Sequence, residues 1–257
     1  MEQVDFLDLI RSQNHEGRSQ LQMPSTSHIE TTEGTTILAL RYKGGVMVAG
    51  DRRATMGNVV VYDRADKVLA VDDSSVLALA GSPANAYEIA RTLEISFQHH
   101  RRSQLHEMSL DGKLRTLSRL LRENIPMALQ GIGAVIPIFA TFDNQSEASK
   151  IYFYDVLGAQ FESVDFCTTG SGSPTIRGAL YYHNRWGGQP TPEMEEPEAI
   201  GLTLRMLETA AEYDTATGGH KPTTDVFPQV LCVTQTGVST ISESELESHY
   251  QNQLRQQ

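Results

Sequence analysis

The chain is short of cysteine, of basic charge and of long apolar runs, and each shortage narrows what it can do. It has two cysteines in 257 residues, Cys167 and Cys232. Both sit in apolar, strand-like stretches and read as buried, reduced thiols, with a single disulfide as the alternative. Lys and Arg number 21 against 32 Asp and Glu, a net charge of −11. That balance argues against a nucleic-acid partner, because phosphate binding needs a basic face. The pair Arg101-Arg102 reads as a solvated turn. No apolar run approaches the roughly 20 residues of a membrane helix. The acidic start, Met1 to Asp8, lacks the apolar core of a secretory signal. The histidines, among them His99, His100, His106, His183 and His220, show no spacing suited to a tetrahedral metal site. They are expected to be solvated, and no metal is expected.

What is present suits one globular domain: 39% hydrophobic and 21% charged residues. Residues 1–34 are polar, with one apolar patch at Phe6, Leu7, Leu9 and Ile10. Alternation then predicts strands over Thr35 to Tyr42 and Val46 to Ala49, joined by Lys43-Gly44-Gly45. Lys67 to Val71 and Val76 to Ala80 make a second pair, turned at Asp72-Asp73-Ser74. Ala86, Ile89, Ala90, Leu93 and Phe97 repeat at helical spacing, as do residues from Leu114 to Leu129, with Pro126 as a disturbance. Strand character returns at Val135 to Phe142, Ile151 to Val156 and Phe161 to Thr168. Helices follow from Ser173 to Tyr182 and from Pro197 to Tyr213, with Asn184 to Glu196 as a loop between them. Val226 to Thr234 and Val238 to Ile241 are the last strands, with Pro228 at an edge or strand start. Ser242 to Gln257 reads as a loose helix or tail. Pattern alone predicts a layered α+β domain.

The sharpest local feature is Gly34-Thr35, a small residue followed by a threonine that opens a strand. Cutting there gives Thr35 a free α-amine of ordinary pKa about 7.7–8.0, and so a nucleophile with its own base. Lys67 is flanked by Val68 and Leu69, an awkward place for a lysine unless it is paired. Burial lowers a lysine pKa and a nearby carboxylate raises it, which is how a proton-transfer group is tuned. The loop Gly170-Ser171-Gly172-Ser173 lacks the lysine of a phosphate-binding loop and the spacing of a serine nucleophile elbow.

Further motifs are Gly50-Asp51-Arg52-Arg53-Ala54-Thr55, Asp66-Lys67-Val68, Ala80-Gly81-Ser82 and Tyr213-Asp214-Thr215-Ala216-Thr217-Gly218-Gly219. In this order and spacing, from Gly34 to Glu243, the chain resembles proteasome β-subunits, most closely the bacterial, actinobacterial type. The resemblance implies a four-layer αββα sandwich of the N-terminal-nucleophile hydrolases, with residues 1–34 an autocleaved propeptide and 35–257 the enzyme domain. It implies Thr35 as nucleophile, with Lys67 on its hydroxyl and Asp51 orienting the lysine. The Gly81 N–H would be the oxyanion donor, helped by the helix that follows. Ser171, Asp214 and Thr217 would support the threonine amine; Thr217 stands where many members carry serine, and the hydroxyl is kept. Ala54, Thr55, Ala65, Leu69, Leu79, Pro83 and Tyr87 match the specificity pocket, which is mostly apolar and implies cleavage after hydrophobic residues.

The resemblance also implies a cytoplasmic threonine endopeptidase that needs no cofactor. It would stand in an α7β7β7α7 stack with proteasome α-subunits and other β-subunits, fed unfolded or tagged polypeptides by a ring ATPase or other activator, with no nucleic acid and no membrane. The rivals are an HslV-like peptidase without α-subunits, a catalytically silent ring component and a small-molecule amidase of the same superfamily. Thr35, Asp51 and Lys67 occurring together argue against the silent component.

Overall fold

The computed structural model describes residues 34–57, 59–130, 132–220 and 226–254. The segment expected to be a propeptide therefore lies, up to residue 33, outside the described residues. Two hairpins start the body. Strands β1 (Thr36–Tyr42) and β2 (Gly45–Gly50) pair antiparallel, and β3 (Ala54–Met56) pairs with β4 (Val59–Tyr62) in a small separate ribbon. β5 (Val68–Asp72) and β6 (Ser75–Ala78) follow, then helices α1 (Pro83–Gln104), α2 (Leu110–Glu123) and the single turn α3 (Ile125–Ala128). Next come β7 (Ile138–Asp143), β8 (Ala148–Tyr154), β9 (Gln160–Ser163) and β10 (Phe166–Gly170). Helices α4 (Ser173–Trp186) and α5 (Glu196–Tyr213), strands β11 (Gln229–Thr234) and β12 (Gly237–Thr240), and α6 (Glu243–His249) complete the order.

Among the described residues the strands form two five-stranded antiparallel sheets, in the orders β10-β1-β2-β11-β12 and β5-β6-β7-β8-β9. The period of two explains how they stack. On β1, Ile37 and Ala39 point to a core shared with Val76, Ala78, Ile138, Ala140 and Ile151 of the other sheet. Leu38 and Leu40 point the other way and pack with Ile176, Leu180, Ala199, Leu204 and Leu207 of α4 and α5. The outer face of the second sheet, through Leu77, Phe139, Tyr152 and Tyr154, packs on Leu93 and Phe97 of α1 and Leu117 and Leu121 of α2. The layers therefore run helix, sheet, sheet, helix, the expected αββα sandwich.

Several boundaries differ from the sequence reading, each for a physical reason. The single strand expected from Phe161 to Thr168 is two strands: β9 ends one sheet, and β10 joins the other beside β1. The break between them falls at Val164-Asp165, a residue pair that belongs to neither ladder. The long second helix stops at Asn124, because Pro126 lies in the first turn of α3, where its missing N–H costs nothing. Val135 is no part of β7 but forms an isolated bridge with Gly81. α4 runs on to Trp186, so His183 sits on a helix rather than in a loop. The β3–β4 ribbon was not anticipated; Val59, Val60, Val61 and Tyr62 are all exposed, so no buried face marks it.

Register places one end of both sheets together. Thr36 pairs with Gly170, and Gly50 pairs with both Ile37 and Gln229. In the second sheet Val68 pairs with Ala78, which pairs with Ile138. The starts of β1, β5 and β11 and the ends of β2, β6 and β10 therefore share one rim. Core packing between the sheets should hold that rim in place. Ile138→Ala, at a fully buried position, is expected to lower unfolding stability by about 2–5 kcal/mol in urea titration. Val60→Thr on the exposed ribbon should stay within about 0.5 kcal/mol. Equal losses at the two positions would contradict this layering.

Candidate active site

Thr35 and Thr36 open β1 at this rim, and both are buried. The backbone of Thr35 is fixed from its carbonyl side: the Ser171 N–H donates to the Thr35 carbonyl at 2.9 Å and the Ser171 hydroxyl at 3.3 Å. The Thr35 hydroxyl donates to the Gly34 carbonyl oxygen at 2.7 Å. The Lys67 ammonium reaches the same oxygen at 3.2 Å. Gly34 admits no side chain, since a Cβ there would lie 2.2 Å from Thr55 Oγ1 and 2.9 Å from the Ala216 carbonyl.

Asp51 follows β2 and is fully buried. Its Oδ1 accepts from Lys67 Nζ at 2.7 Å and from the Thr36 N–H at 2.8 Å. Its Oδ2 accepts from the N–H groups of Arg53 and Gly218, each at 2.9 Å. Lys67 stands one residue before β5 rather than within a strand, and its third proton goes to the Arg53 carbonyl at 2.5 Å. Gln229, at the start of β11, clamps this turn by accepting from the Lys67 N–H at 2.6 Å and the Val68 N–H at 3.2 Å. Burial lowers the Lys67 pKa, and the Asp51 charge opposes the shift without cancelling it.

Gly81 faces this group from the second sheet. In its bridge to Val135 the hydrogen bonds are made by its neighbours: Ile136 N–H to the Ala80 carbonyl at 2.8 Å, and Ser82 N–H to the Ala134 carbonyl at 2.9 Å. That pattern turns the N–H of Gly81 itself away from Val135. Its φ of +112° and the Ala134 carbonyl 2.0 Å from an added Cβ make glycine obligatory here. Helix α1 begins two residues later, so its positive end lies beside that N–H.

The Asp214–His220 loop closes the group from the α5 side. The Thr217 hydroxyl donates to Asp214 Oδ2 at 2.6 Å, and Thr217 Oγ1 lies 2.5 Å from Thr36 Oγ1. Burial pushes the Asp214 pKa up, but hydrogen bonds from Ser171 and Thr217 outweigh it and hold the carboxyl below its usual range. The hydroxyl of Thr217 thus occupies a bonded, fully buried place.

Beside Thr35 opens a cavity of about 290 Å³, lined by Ala54, Ala65, Leu79, Pro83 and Tyr87 together with Lys67 and Gly81. Of the residues expected there, Leu69 instead packs into the helix-side core, and Thr55 lies behind Gly34. Val61 and Tyr62 of the β4 ribbon and Asp66 also line it. Asp66 accepts from Arg52 and Gln229, each at 2.9 Å, so its charge is already partnered. The sequence reading missed Arg53, whose guanidinium donates to the Thr215 and Thr217 carbonyls at 3.0 Å each. Its place two residues after Asp51 was the available signal. The Val-Val-Val-Tyr run was the signal for β4.

His220 also departs from expectation: it is half-buried and stacked on Phe227 with ring centroids 4.7 Å apart, not solvated. Both cysteines are free and buried, their thiols pushed up to about 12 by burial. Among the described residues there is no His, Cys, Asp and Glu cluster that would hold a metal, and no helix long and apolar enough to cross a membrane.

The lowered Lys67 pKa has a measurable sign. Between the depressed folded value and the ordinary lysine range the unfolded chain binds more protons, so this residue's contribution to stability rises with pH. Lys67→Met removes it. The variant's stability relative to wild type is therefore expected to fall from about pH 7 to about pH 10 in urea titrations. A gap that is flat or moves the other way would exclude the burial effect.

Residues 31–221 match the family described as Proteasome subunit. A proteasome subunit beta of Acidothermus cellulolyticus is 38% identical over 245 residues, 93% of this chain and 81% of that one. Proteasome subunit beta 2 of Thermomonospora curvata is 40% identical over 224 residues, 87% of this chain and 76% of that one. A proteasome subunit beta of Streptomyces griseus is 35% identical over 243 residues, 93% and 84% of the two chains. With the αββα sandwich already described, these matches show that the chain belongs to the proteasome subunit family, among its bacterial β-subunits.

Proposed function

We propose that Thr35 first cuts the Gly34–Thr35 bond and then serves as the nucleophile for peptide substrates. Membership of the family makes the chain a catalytic β-subunit of a bacterial 20S proteasome, a threonine-type endopeptidase that assembles with α- and β-subunits. One observation carries the residue assignment. The Thr35 hydroxyl and the Lys67 ammonium converge on the Gly34 carbonyl oxygen, at 2.7 and 3.2 Å. The lysine polarises that carbonyl, and the hydroxyl lies within reach of it.

On this reading Thr35 Oγ bonds to the Gly34 carbonyl carbon, the peptide C–N bond breaks, and the hydroxyl proton ends on the Thr35 nitrogen. Water then hydrolyses the resulting ester, releasing residues 1–34 and leaving a free amine. In turnover that amine takes the hydroxyl proton, Oγ attacks the substrate carbonyl, and the Gly81 N–H receives the developing oxyanion. The amine returns the proton to the leaving group, and water hydrolyses the acyl ester. Asp51 holds Lys67; Ser171, Asp214 and Thr217 hold the backbone around Thr35.

The apolar cavity of Ala54, Ala65, Leu79, Pro83 and Tyr87 favours an apolar side chain before the cut bond. The rest of the proposal is an α7β7β7α7 stack in the cytoplasm, supplied with unfolded or tagged polypeptides by a ring ATPase or other activator.

Intact mass after co-expression with an α-subunit tests the first step. Wild type is expected to lose residues 1–34, and Thr35→Ala to keep them. Gly34→Val, which drives a side chain onto Thr55 and Ala216, should slow processing by about tenfold or more. Retention of residues 1–34 in assembled wild-type rings would refute self-cleavage. On assembled rings, fluorogenic peptides with an apolar residue before the cut should outrun acidic and basic ones by about tenfold or more. A preference for charge would remove the pocket reading.

A further inference from the structure

Next to the catalytic group, and outside the cavity lining, lies a polar cluster that the reaction does not use. Glu208 of α5 accepts two hydrogen bonds on the same oxygen. One comes from the His220 N–H and one from the Tyr250 hydroxyl, each at 2.7 Å. Tyr250 follows α6 and is buried. Burial first, and then the Glu208 charge, pushes its hydroxyl far above the usual range, so it stays protonated and donates. The rings of His220, Phe227 and Tyr250 gather about this point with centroids 4.4 to 5.8 Å apart, His220 stacked on Phe227 and Tyr250 tilted against both.

This cluster grips one end of the loop whose other end holds the site. Asp214 follows α5 directly, and Arg53 holds the middle through the Thr215 and Thr217 carbonyls. Gly218 then gives its N–H to Asp51, and His220 gives its N–H to Glu208. The loop threads a narrow gap: a Cβ on Gly218 would lie 2.9 Å from Arg53 Cβ, and one on Gly219 2.9 Å from Glu208 Oε2. Two successive glycines have more backbone freedom than any other pair. The Gly218 N–H stays on Asp51 only if the chain is tied on both sides of the pair. Arg53 ties one side and Glu208 the other.

We propose that Glu208, set in place by Tyr250, is a positioning residue for hydrolysis: it ties the far end of the Asp214–His220 loop and so keeps the Gly218 N–H on the Asp51 carboxylate. The line of contact runs from the Tyr250 hydroxyl through Glu208, the His220 backbone and Gly218 to Asp51, and from Asp51 to Lys67. Only Lys67, at its far end, lines the cavity that receives substrate; Tyr250, Glu208, His220, Gly218 and Asp51 do not, so losing the tie at Glu208 lowers turnover and leaves substrate binding alone. The proposal rests on the roles given above to Thr35, Asp51 and Lys67.

The test uses assembled rings, processed ones carrying Tyr250→Phe, Glu208→Leu or Glu208→Gln and unprocessed Thr35→Ala rings as control, and steady-state cleavage of one fluorogenic peptide. Tyr250→Phe and Glu208→Leu are expected to lower kcat by about tenfold with KM within about twofold. Glu208→Gln keeps an oxygen that accepts from both His220 and Tyr250, and should retain most of the activity. Unchanged kcat in Tyr250→Phe would overturn the proposal, as would a rise in KM matching the fall in kcat, or an equal loss in Glu208→Gln. If Glu208→Leu fails to assemble, Tyr250→Phe decides alone, because it removes one hydroxyl and keeps the ring. An active Thr35→Ala control would bring down the underlying site reading. An inactive control with unaffected Tyr250→Phe would bring down only this inference.

Discussion

The arrangement around Thr35 depends on one buried ion pair, Lys67 with Asp51, whose side chains are 6% and 0% exposed. Removing two such charges from water costs several kcal/mol per ion unless their remaining bonding capacity is filled. Here it is filled. Lys67 spends its three protons on Asp51, Gly34 and Arg53. Asp51 accepts from the lysine and from three backbone N–H groups, at Thr36, Arg53 and Gly218. Those groups belong to the start of β1, the segment after β2 and the loop after α5, while the lysine leads into β5. A pair that must be satisfied by four separate segments holds all four at once. The compactness of the site follows from the cost of leaving either charge short of a partner.

The sandwich delivers those segments to one place. Thr36, Gly50, Gly170 and Gln229 meet at one rim of the first sheet through ladder register, and Lys67 and Gly81 meet them from the second. A one-residue slip in β1 would turn Ile37 and Ala39 from the inter-sheet core to the helix face. The same slip would move Thr35 off Ser171. The core that stabilises the layers therefore also fixes Thr35, the proposed nucleophile, and the two properties cannot drift apart by sliding strands.

Much of this was legible in the sequence, because period and motif report on different things. Three-to-four spacing in Ala86 to Phe97 exposed the helix layer, since one face of α1 is buried. Ile37 to Leu40 is apolar throughout because both faces of β1 are buried, so that strand showed as a short apolar run rather than by alternation. The motif residues Thr35, Asp51, Lys67, Ser171, Asp214 and Thr217 come together because each sits at an element end, where turn chemistry is written locally. The misses have the opposite character. The crossing from β9 to β10 costs only two residues, Val164 and Asp165, and no glycine or proline marks a break there. The exposed β4 has no buried face to set a period. The roles of His220 and Glu208 depend on Tyr250, 30 and 42 residues away, a separation no local window spans.

The bonds around Thr35 bear on how the proposed self-cleavage and the proposed turnover share one site. Before cleavage the Thr35 nitrogen is a peptide amide and offers no basicity, and Lys67 donates to the same carbonyl oxygen as the hydroxyl. Burial favours its neutral form and Asp51 tempers that preference. After the proposed cleavage an α-amine of ordinary pKa about 7.7–8.0 appears on Thr35 itself. On the proposed reading, the new amine is of use only if cleavage leaves the threonine in its place. The geometry keeps it there. Residue 35 is held through its own carbonyl by Ser171, and through the next residue by the Thr36 N–H on Asp51. These ties all lie on the C-terminal side of the bond proposed to be cut, so the Gly34 contacts can be lost while the hydroxyl stays beside Gly81 and the cavity.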